Sequence, residues 1–203
     1  MNISDIRKEF PIFDDKIQNN DLVYLDSANS SQKPRVVVDR IYDFYTKEFS
    51  NVGRSVHYLA VAATNLYEQT RVSVQKYINA KDKDEIVFTK GATEAINLVA
   101  NTFGQKYLSE GDEVLLTELE HHSNYVPWHF LRKAKNIKIE FAEINNDGEV
   151  TLEAIEKKIT NKTKIISVSH LSNVTGAILP IKQIVQLAHS KNIPVLIDGC
   201  QGA

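Results

Sequence analysis

The residues able to do chemistry fall in four short stretches. "FTKGATEAINLVAN" (88–101) passes from an apolar run through Gly91 straight into a helical pattern. The free N–H groups of a first helical turn, aligned with the helix dipole, make an anion site, and Thr93 adds a hydroxyl. An ordinary threonine-capped turn has the same spacing. The stretch matches neither the dinucleotide fingerprint nor the P-loop pattern, which argues against NAD and ATP. "ELEHHSNYVPWHF" (118–130) holds three histidines, two acids and the only tryptophan. His121 and His122 are adjacent, so they diverge on a regular element, and a shared metal is disfavoured. A histidine stacked on a flat ring, or working as acid or base, stays open beside a plain loop histidine.

In "SVSHLSNVTGAILPI" (167–181) an apolar run ends in His170, Ser172, Asn173 and Thr175. Such side chains can bind a ligand or simply cap the loop and the next helix. "VLIDGCQGA" (195–203) carries Asp198 at the end of the most apolar run of the chain. A buried charge there requires a partner: a helix N-terminus, a lysine or a protonated ring nitrogen. Cys200 is the only cysteine and reads as a small buried residue, since nothing beside it activates a thiolate.

These stretches need elements to position them. Apolar, β-branched runs predict strands near 85–89, 113–117, 138–142, 164–169 and 194–198. Helical patterns lie between them near 92–107, 125–134, 151–159 and 181–190, and earlier near 35–48 and 60–79. Val36, Ile41, Phe44 and Tyr45 share one face of the 35–48 helix. Short, near-continuous strands alternating with helices predict an α/β fold, a mostly parallel sheet covered on both faces. Ligands of such sheets bind beyond the carboxyl ends of the strands. Gly91–Glu94, His121–His122, His170–Asn173 and Asp198–Gln201 all follow strands, so the chemical residues gather on one edge.

Composition narrows the partners. The 203 residues are 42% hydrophobic and 25% charged, with a formal net charge of -2 and scattered lysines. That balance disfavours nucleic acid and anionic membranes as main partners. No run approaches the roughly 20 apolar residues of a membrane span. The start, MNISDIRKEFPIF, lacks the apolar core of a signal peptide, and a single cysteine fits a reducing compartment. A cytoplasmic protein is the expectation.

Five stretches in this order, "YLDSANSSQKP" (24–34), "KGATEAINLVAN" (90–101), "EHHSNYVPW" (120–128), "SHLSNVTGAILPI" (169–181) and "VLIDGCQGA" (195–203), resemble the fold-type I, class V aminotransferase-like enzymes that use pyridoxal 5'-phosphate. The EHH-SN-VPW segment resembles the SUF-type (group II) cysteine desulfurases and selenocysteine lyases more than the NifS-like group. The resemblance implies that amides around Ala92 and Thr93, with the Thr93 hydroxyl, hold the cofactor phosphate. It implies that His122 stacks on the pyridine ring and assists proton transfer, and that Asp198 pairs with the ring nitrogen. Asn173 and Gln201 would hydrogen-bond near the phenolic oxygen. The implied activity converts L-cysteine to L-alanine and leaves a persulfide for iron–sulfur cluster assembly, with a SUF-type sulfur-acceptor protein and a homodimeric enzyme.

The chain departs from that pattern at Ala92, where a second threonine is common, at Asn29, and at Gly53, where a histidine is usual. Gly53 puts contacts with a partner subunit in doubt, although Arg54 and His57 remain. Members of the family are about twice as long. The resemblance therefore divides the chain into an N-terminal helical segment with a dimer-contact loop (1–80) and the first part of the large cofactor-binding domain (81–203). The lysine that joins the cofactor, in a Ser-x-His-Lys motif, the persulfide-forming cysteine and the substrate-binding arginine are expected in sequence that these residues do not include. The strand at 85–89 is then expected to lack neighbours, and the chain alone to be inactive. Three alternatives remain: a non-catalytic remnant of the fold, another class V enzyme such as a selenocysteine lyase or aminotransferase, and, remotely, a metal hydrolase on His121, His122 and His170.

Overall fold

The computed structural model describes residues 2–202. Two units emerge, Met1–Phe88 and Thr89–Ala203. In the first, α1 (Ile3–Lys8) starts where the Asn2 side chain accepts the Ser4 N–H at 3.2 Å. Strands β1 (Lys16–Ile17) and β2 (Asn20–Asp21) form a hairpin. Its two turn residues, Gln18 and Asn19, have φ of 52° and 65°, the positive values a tight right-twisted hairpin turn requires.

Helix α2 (Arg35–Asp43) gives way to a π-helical turn at Phe44–Glu48 rather than running on to residue 48. Val36, Ile41 and Tyr45 all stay exposed. Helix α3 (Tyr58–Tyr77) is capped by His57, whose Nδ1 accepts the Ala60 N–H at 3.4 Å. Gly53 donates its N–H to Thr64 Oγ1 at 3.1 Å.

The expected strand at 85–89 is not formed. Lys83–Glu85 is a 3-10 turn, and residues 86–88 run extended without a ladder partner among the described residues. An isolated strand leaves its backbone groups to other partners. Here Arg71 supplies one: its guanidinium donates to the Ile86 carbonyl and lies 5.1 Å from the Tyr67 ring and 5.2 Å from the Phe88 ring.

The second unit is the predicted α/β layer structure. Strands β3 (Glu113–Thr117), β4 (Lys138–Ala142), β5 (Thr163–Ser169) and β6 (Val195–Asp198) make one parallel sheet in the order β4-β3-β5-β6. Helices α6 (Val126–Lys135), α7 (Leu152–Lys158) and α8 (Ile181–Ser190) connect them. The stretch expected as one helix over 92–107 is α4 (Ala92–Val99), a π-helical turn at Ala100–Gly104, and α5 (Gln105–Tyr107).

Period-two alternation sends side chains of each strand to two cores. Val114, Leu116 and Ile165 pack with Ala100, Trp128 and Leu131 on one face. Leu115, Ile166 and Val168 pack with Ile155, Ile184 and Ala188 on the other. Burying each of these large side chains contributes roughly 1.5–3 kcal/mol. The first face admits the π-helical turn closely because position 104 is glycine. A Cβ there would sit 2.5 Å from Leu131 Cδ2.

The chain order matters for function. From β3 it steps outward to β4, then returns past β3 to β5 and continues to β6. The direction reverses between β3 and β5. At such a switch point the loops part, leaving a crevice at the carboxyl ends of the strands.

Candidate active site

The loop after β3 fills this switch point. Glu120 turns back under the sheet edge, and its Oε1 accepts the Ser169 N–H at 3.0 Å, where β5 runs beyond its ladder with β3. The same carboxylate accepts the Thr117 hydroxyl at 2.6 Å and the Asn124 amide Nδ2–H at 2.6 Å. Asn124 is fully buried, and its Oδ1 accepts Trp128 Nε1–H at 3.3 Å and the Ser167 hydroxyl at 2.5 Å. Burial pushes the Glu120 carboxyl above the usual range, opposed by the Thr117, Ser169 and Asn124 donors; the nearby Asp198 charge pushes it further up.

This network holds the 3-10 turn His122–Asn124, which begins with His122 on the surface. His121 caps the turn, its Nδ1 accepting the Ser123 N–H at 3.1 Å. The His121 and His122 rings are 5.9 Å apart at 83°, the divergence their adjacency predicts. Helix α4 packs against this turn. Ala92 is half-buried and Thr93 exposed in the first turn of α4. The Ala95 N–H is bonded to Gly91 at 3.1 Å, so the amides of Ala92, Thr93 and Glu94 precede the first bonded turn.

Asp198 closes β6 and is 8% exposed. Its Oδ1 accepts the Cys200 N–H at 3.1 Å, and its carbonyl accepts the His170 N–H at 2.9 Å. It lies in register with Ser169, so both side chains stand on the Trp128 face of the sheet. Gln201 is half-buried in the turn beyond Asp198. Asn173 sits on the exposed arc of a loop closed by the Leu171–Ile178 bridge and by Ser172, whose hydroxyl accepts the Thr175 N–H at 3.2 Å.

Cys200 is exposed rather than buried packing. Its thiol is pushed up to about 11 by loss of solvation and by the Asp198 carboxylate, so it is not an activated nucleophile. Among the described residues no group of three or more His, Cys, Asp or Glu is placed to hold a metal ion.

Four residues of this cluster escape sequence reading: Glu120, Asn124, Ser169 and Gly202. Their signals are weak but present. Glu120, Asn124 and Trp128 recur at four-residue spacing, and Ser167 and Ser169 alternate with Ile166 and Val168 on β5. Gly202 allows the backbone to lie on the His170 imidazole, which a Cβ would strike.

The arrangement suits pyridoxal phosphate. A helix start offers free amides to a dianionic phosphate, and a buried carboxylate waits for a cationic ring nitrogen. Beside it the Ser169 hydroxyl is buried without a hydrogen-bond partner, a polar group that a bound molecule or water would satisfy.

Comparison with known proteins gives the family. Residues 23–203 match the profile of aminotransferase class-V. The chain belongs to the class V aminotransferase family. It is 44% identical over 203 residues to a probable cysteine desulfurase of Halalkalibacterium halodurans, covering 100% of this chain and 50% of that protein. It is 41% identical to a cysteine desulfurase of Synechococcus elongatus, covering 98% of this chain and 32% of the other. Among solved structures it superposes on the cysteine desulfurase CsdA of Escherichia coli with a TM-score of 0.85 and 34% identity, over 100% of this chain and 49% of that one. A cysteine desulfurase of Thermococcus onnurineus gives 0.87 and 34%, over 97% and 47%. A more distant neighbour, solved with glycine covalently linked to its PLP cofactor, shares the fold at a TM-score of 0.76 and 21% identity, over 97% and 50%. This class V family works with pyridoxal phosphate, and the chain spans half or less of the length of these relatives.

Proposed function

We propose that the chain is the cofactor-binding part of a pyridoxal-phosphate-dependent cysteine desulfurase. The observation that carries the reading is the packing of the His122 turn against α4, with Glu120 of the same loop bonded to Ser169, the register partner of Asp198. The 44% identity to a probable cysteine desulfurase supports the substrate, L-cysteine.

In this reading the amides of Ala92 and Thr93, with the Thr93 hydroxyl, hold the phosphate. His122 covers one ring face and moves a proton at its imidazole nitrogen. Asp198 keeps the ring nitrogen protonated, and Asn173 and Gln201 orient the phenolic oxygen. The cofactor, when bound, supplies an electron sink for the substrate's α-carbon. The net reaction takes L-cysteine and an enzyme thiol to L-alanine and an enzyme persulfide.

Cys200 does not suit that role: loss of solvation and the Asp198 carboxylate push its thiol up to about 11. No Ser-x-His-Lys occurs among the 203 residues. We therefore assign turnover to a protein that also contains the lysine, the acceptor cysteine and the carboxylate-binding arginine, a SUF-type homodimer in the cytoplasm passing sulfur to an acceptor protein for iron–sulfur assembly. No helix among the described residues is long and apolar enough to cross a membrane.

Free pyridoxal phosphate is achiral, so circular dichroism in its visible band reports binding alone. Titration of the purified chain should induce such a band, and Asp198→Ala should abolish it. An unchanged, featureless spectrum across the titration would refute the reading.

A further inference from the structure

The roles above leave one buried carboxylate unused. Glu120 does not point at the place the reading gives the cofactor, yet it joins three of the segments around it. Its oxygens take hydrogen bonds from Thr117 at the end of β3, from Asn124 in the His122 turn, and from the Ser169 N–H at the end of β5. Ser169 is the register partner of Asp198, and neighbouring strands lie about 4.8 Å apart. Glu120 thus ends one strand away from the carboxylate assigned to the ring nitrogen.

Hydrogen-bond direction fixes the chemical character of position 120. The Thr117 hydroxyl oxygen accepts the Leu119 N–H at 3.2 Å, so its own proton is free for Glu120. Asn124 Oδ1 is occupied by the Trp128 and Ser167 donors, so Nδ2 must face Glu120. The Ser169 partner is a backbone N–H. All three neighbours donate, and only an ionised carboxylate accepts from all of them without offering a proton of its own. A glutamine would set its amide N–H against Asn124 Nδ2–H. The three donors thus favour the ionised carboxylate and offset part of the burial that pushes it up.

We propose that Glu120 is a positioning residue for the cofactor floor, fastening the His122 turn to the end of β5 and adding negative charge behind Asp198. The inference rests on the pyridoxal-phosphate reading given above. Charges in a poorly solvated site act on one another more strongly than in water. A second carboxylate behind Asp198 raises the proton affinity of a base lying against it. The other titratable groups on the surrounding elements are Lys90 and Glu94 at the start of α4, Glu118 after β3, His121 and His122 on the turn, Tyr125 and His129 at the start of α6, His170 beyond β5 and Cys200 beyond β6. The Cys200 thiol stays neutral through the working range.

The test compares the wild-type chain with Glu120→Gln and Glu120→Asp. Without cofactor, amide hydrogen exchange at Ser169 and Asn124 should quicken about tenfold in E120Q, with Ile155 in α7 unchanged. With pyridoxal phosphate labelled with nitrogen-15, the midpoint for ring-nitrogen protonation should fall by about one pH unit in E120Q. E120D keeps the charge on a shorter side chain, so it should loosen the Ser169 amide while holding the midpoint near wild type. Exchange and midpoint both unchanged in E120Q would overturn the proposal, and an equal midpoint fall in both variants would overturn its electrostatic half. If wild-type chain binds no pyridoxal phosphate, the function reading fails instead. The exchange arm still decides the clamp: an unchanged Ser169 rate overturns it.

Discussion

Glu120 accepts the Ser169 N–H at 3.0 Å, so a carboxylate from the loop after β3 completes the end of β5. That bond crosses the point where the chain order of the sheet reverses. It ties the loop carrying His122 to the strand whose neighbour carries Asp198. Ser169 lies 49 residues beyond Glu120 and is paired in register with Asp198, a further 29 residues on.

Asn124 is the hub of this cluster. Asn124→Ala would strand the Trp128 Nε1–H, the Ser167 hydroxyl and one oxygen of Glu120 inside the protein. Unpaired buried groups and the cavity together should cost about 2–4 kcal/mol. Urea unfolding followed by Trp128 fluorescence measures it, and a midpoint equal to wild type would show that the network contributes nothing.

The pH dependence of stability has a definite sign. Burial raises Glu120 in the folded chain above its ordinary value of 4.5. Its stabilising contribution is complete below the unfolded value and is lost as pH rises through the folded one. The stability difference between wild type and E120Q should therefore favour wild type most near pH 4 and shrink as pH rises. Paired denaturation curves at several pH values check the trend; a difference that grows with pH contradicts it.

Cys200 should be a sluggish thiol. With its pKa pushed up to about 11 from 9.0, the thiolate fraction at pH 8 falls about 100-fold. Alkylation by iodoacetamide should be correspondingly slower than in a free cysteine peptide, and Asp198→Asn should speed it. Equal rates in the wild type and D198N would remove Asp198 as the cause.

Gly104 has no room for a side chain. Gly104→Ala places a methyl group 2.5 Å from Leu131 Cδ2, beside fully buried Trp128. Overpacking of this kind costs about 1–3 kcal/mol. A thermal melt should show a lowered midpoint, whereas Gly111→Ala meets open space and tests only the backbone preference of its φ of 80°.

Much of this was legible in the sequence. The bounds of β3 and β4 follow from short β-branched runs flanked by polar residues, and α8 from its apolar spacing. Asp198 was legible because a charge that ends an apolar strand demands explanation. The π-helical turns inside 35–48 and 92–107 were not, since an inserted residue leaves the apolar periodicity nearly intact. The strand pattern at 85–89 forms no strand, in keeping with its expected lack of neighbours among the described residues. Glu120 was hidden for a related reason: its partners lie 3, 4 and 49 residues away, and only the fold brings Ser169 to it.

On the proposed reading the α4 start, the His122 turn and the β6 end form one cofactor floor. Residue-resolved NMR of the labelled chain, titrated with pyridoxal phosphate, tests it most directly. Amide shifts should concentrate at Ala92, Thr93, His122, Ser169, Asp198 and Gln201, with α7 and α8 silent. Shifts confined to other surfaces, or none at saturating cofactor, would contradict it.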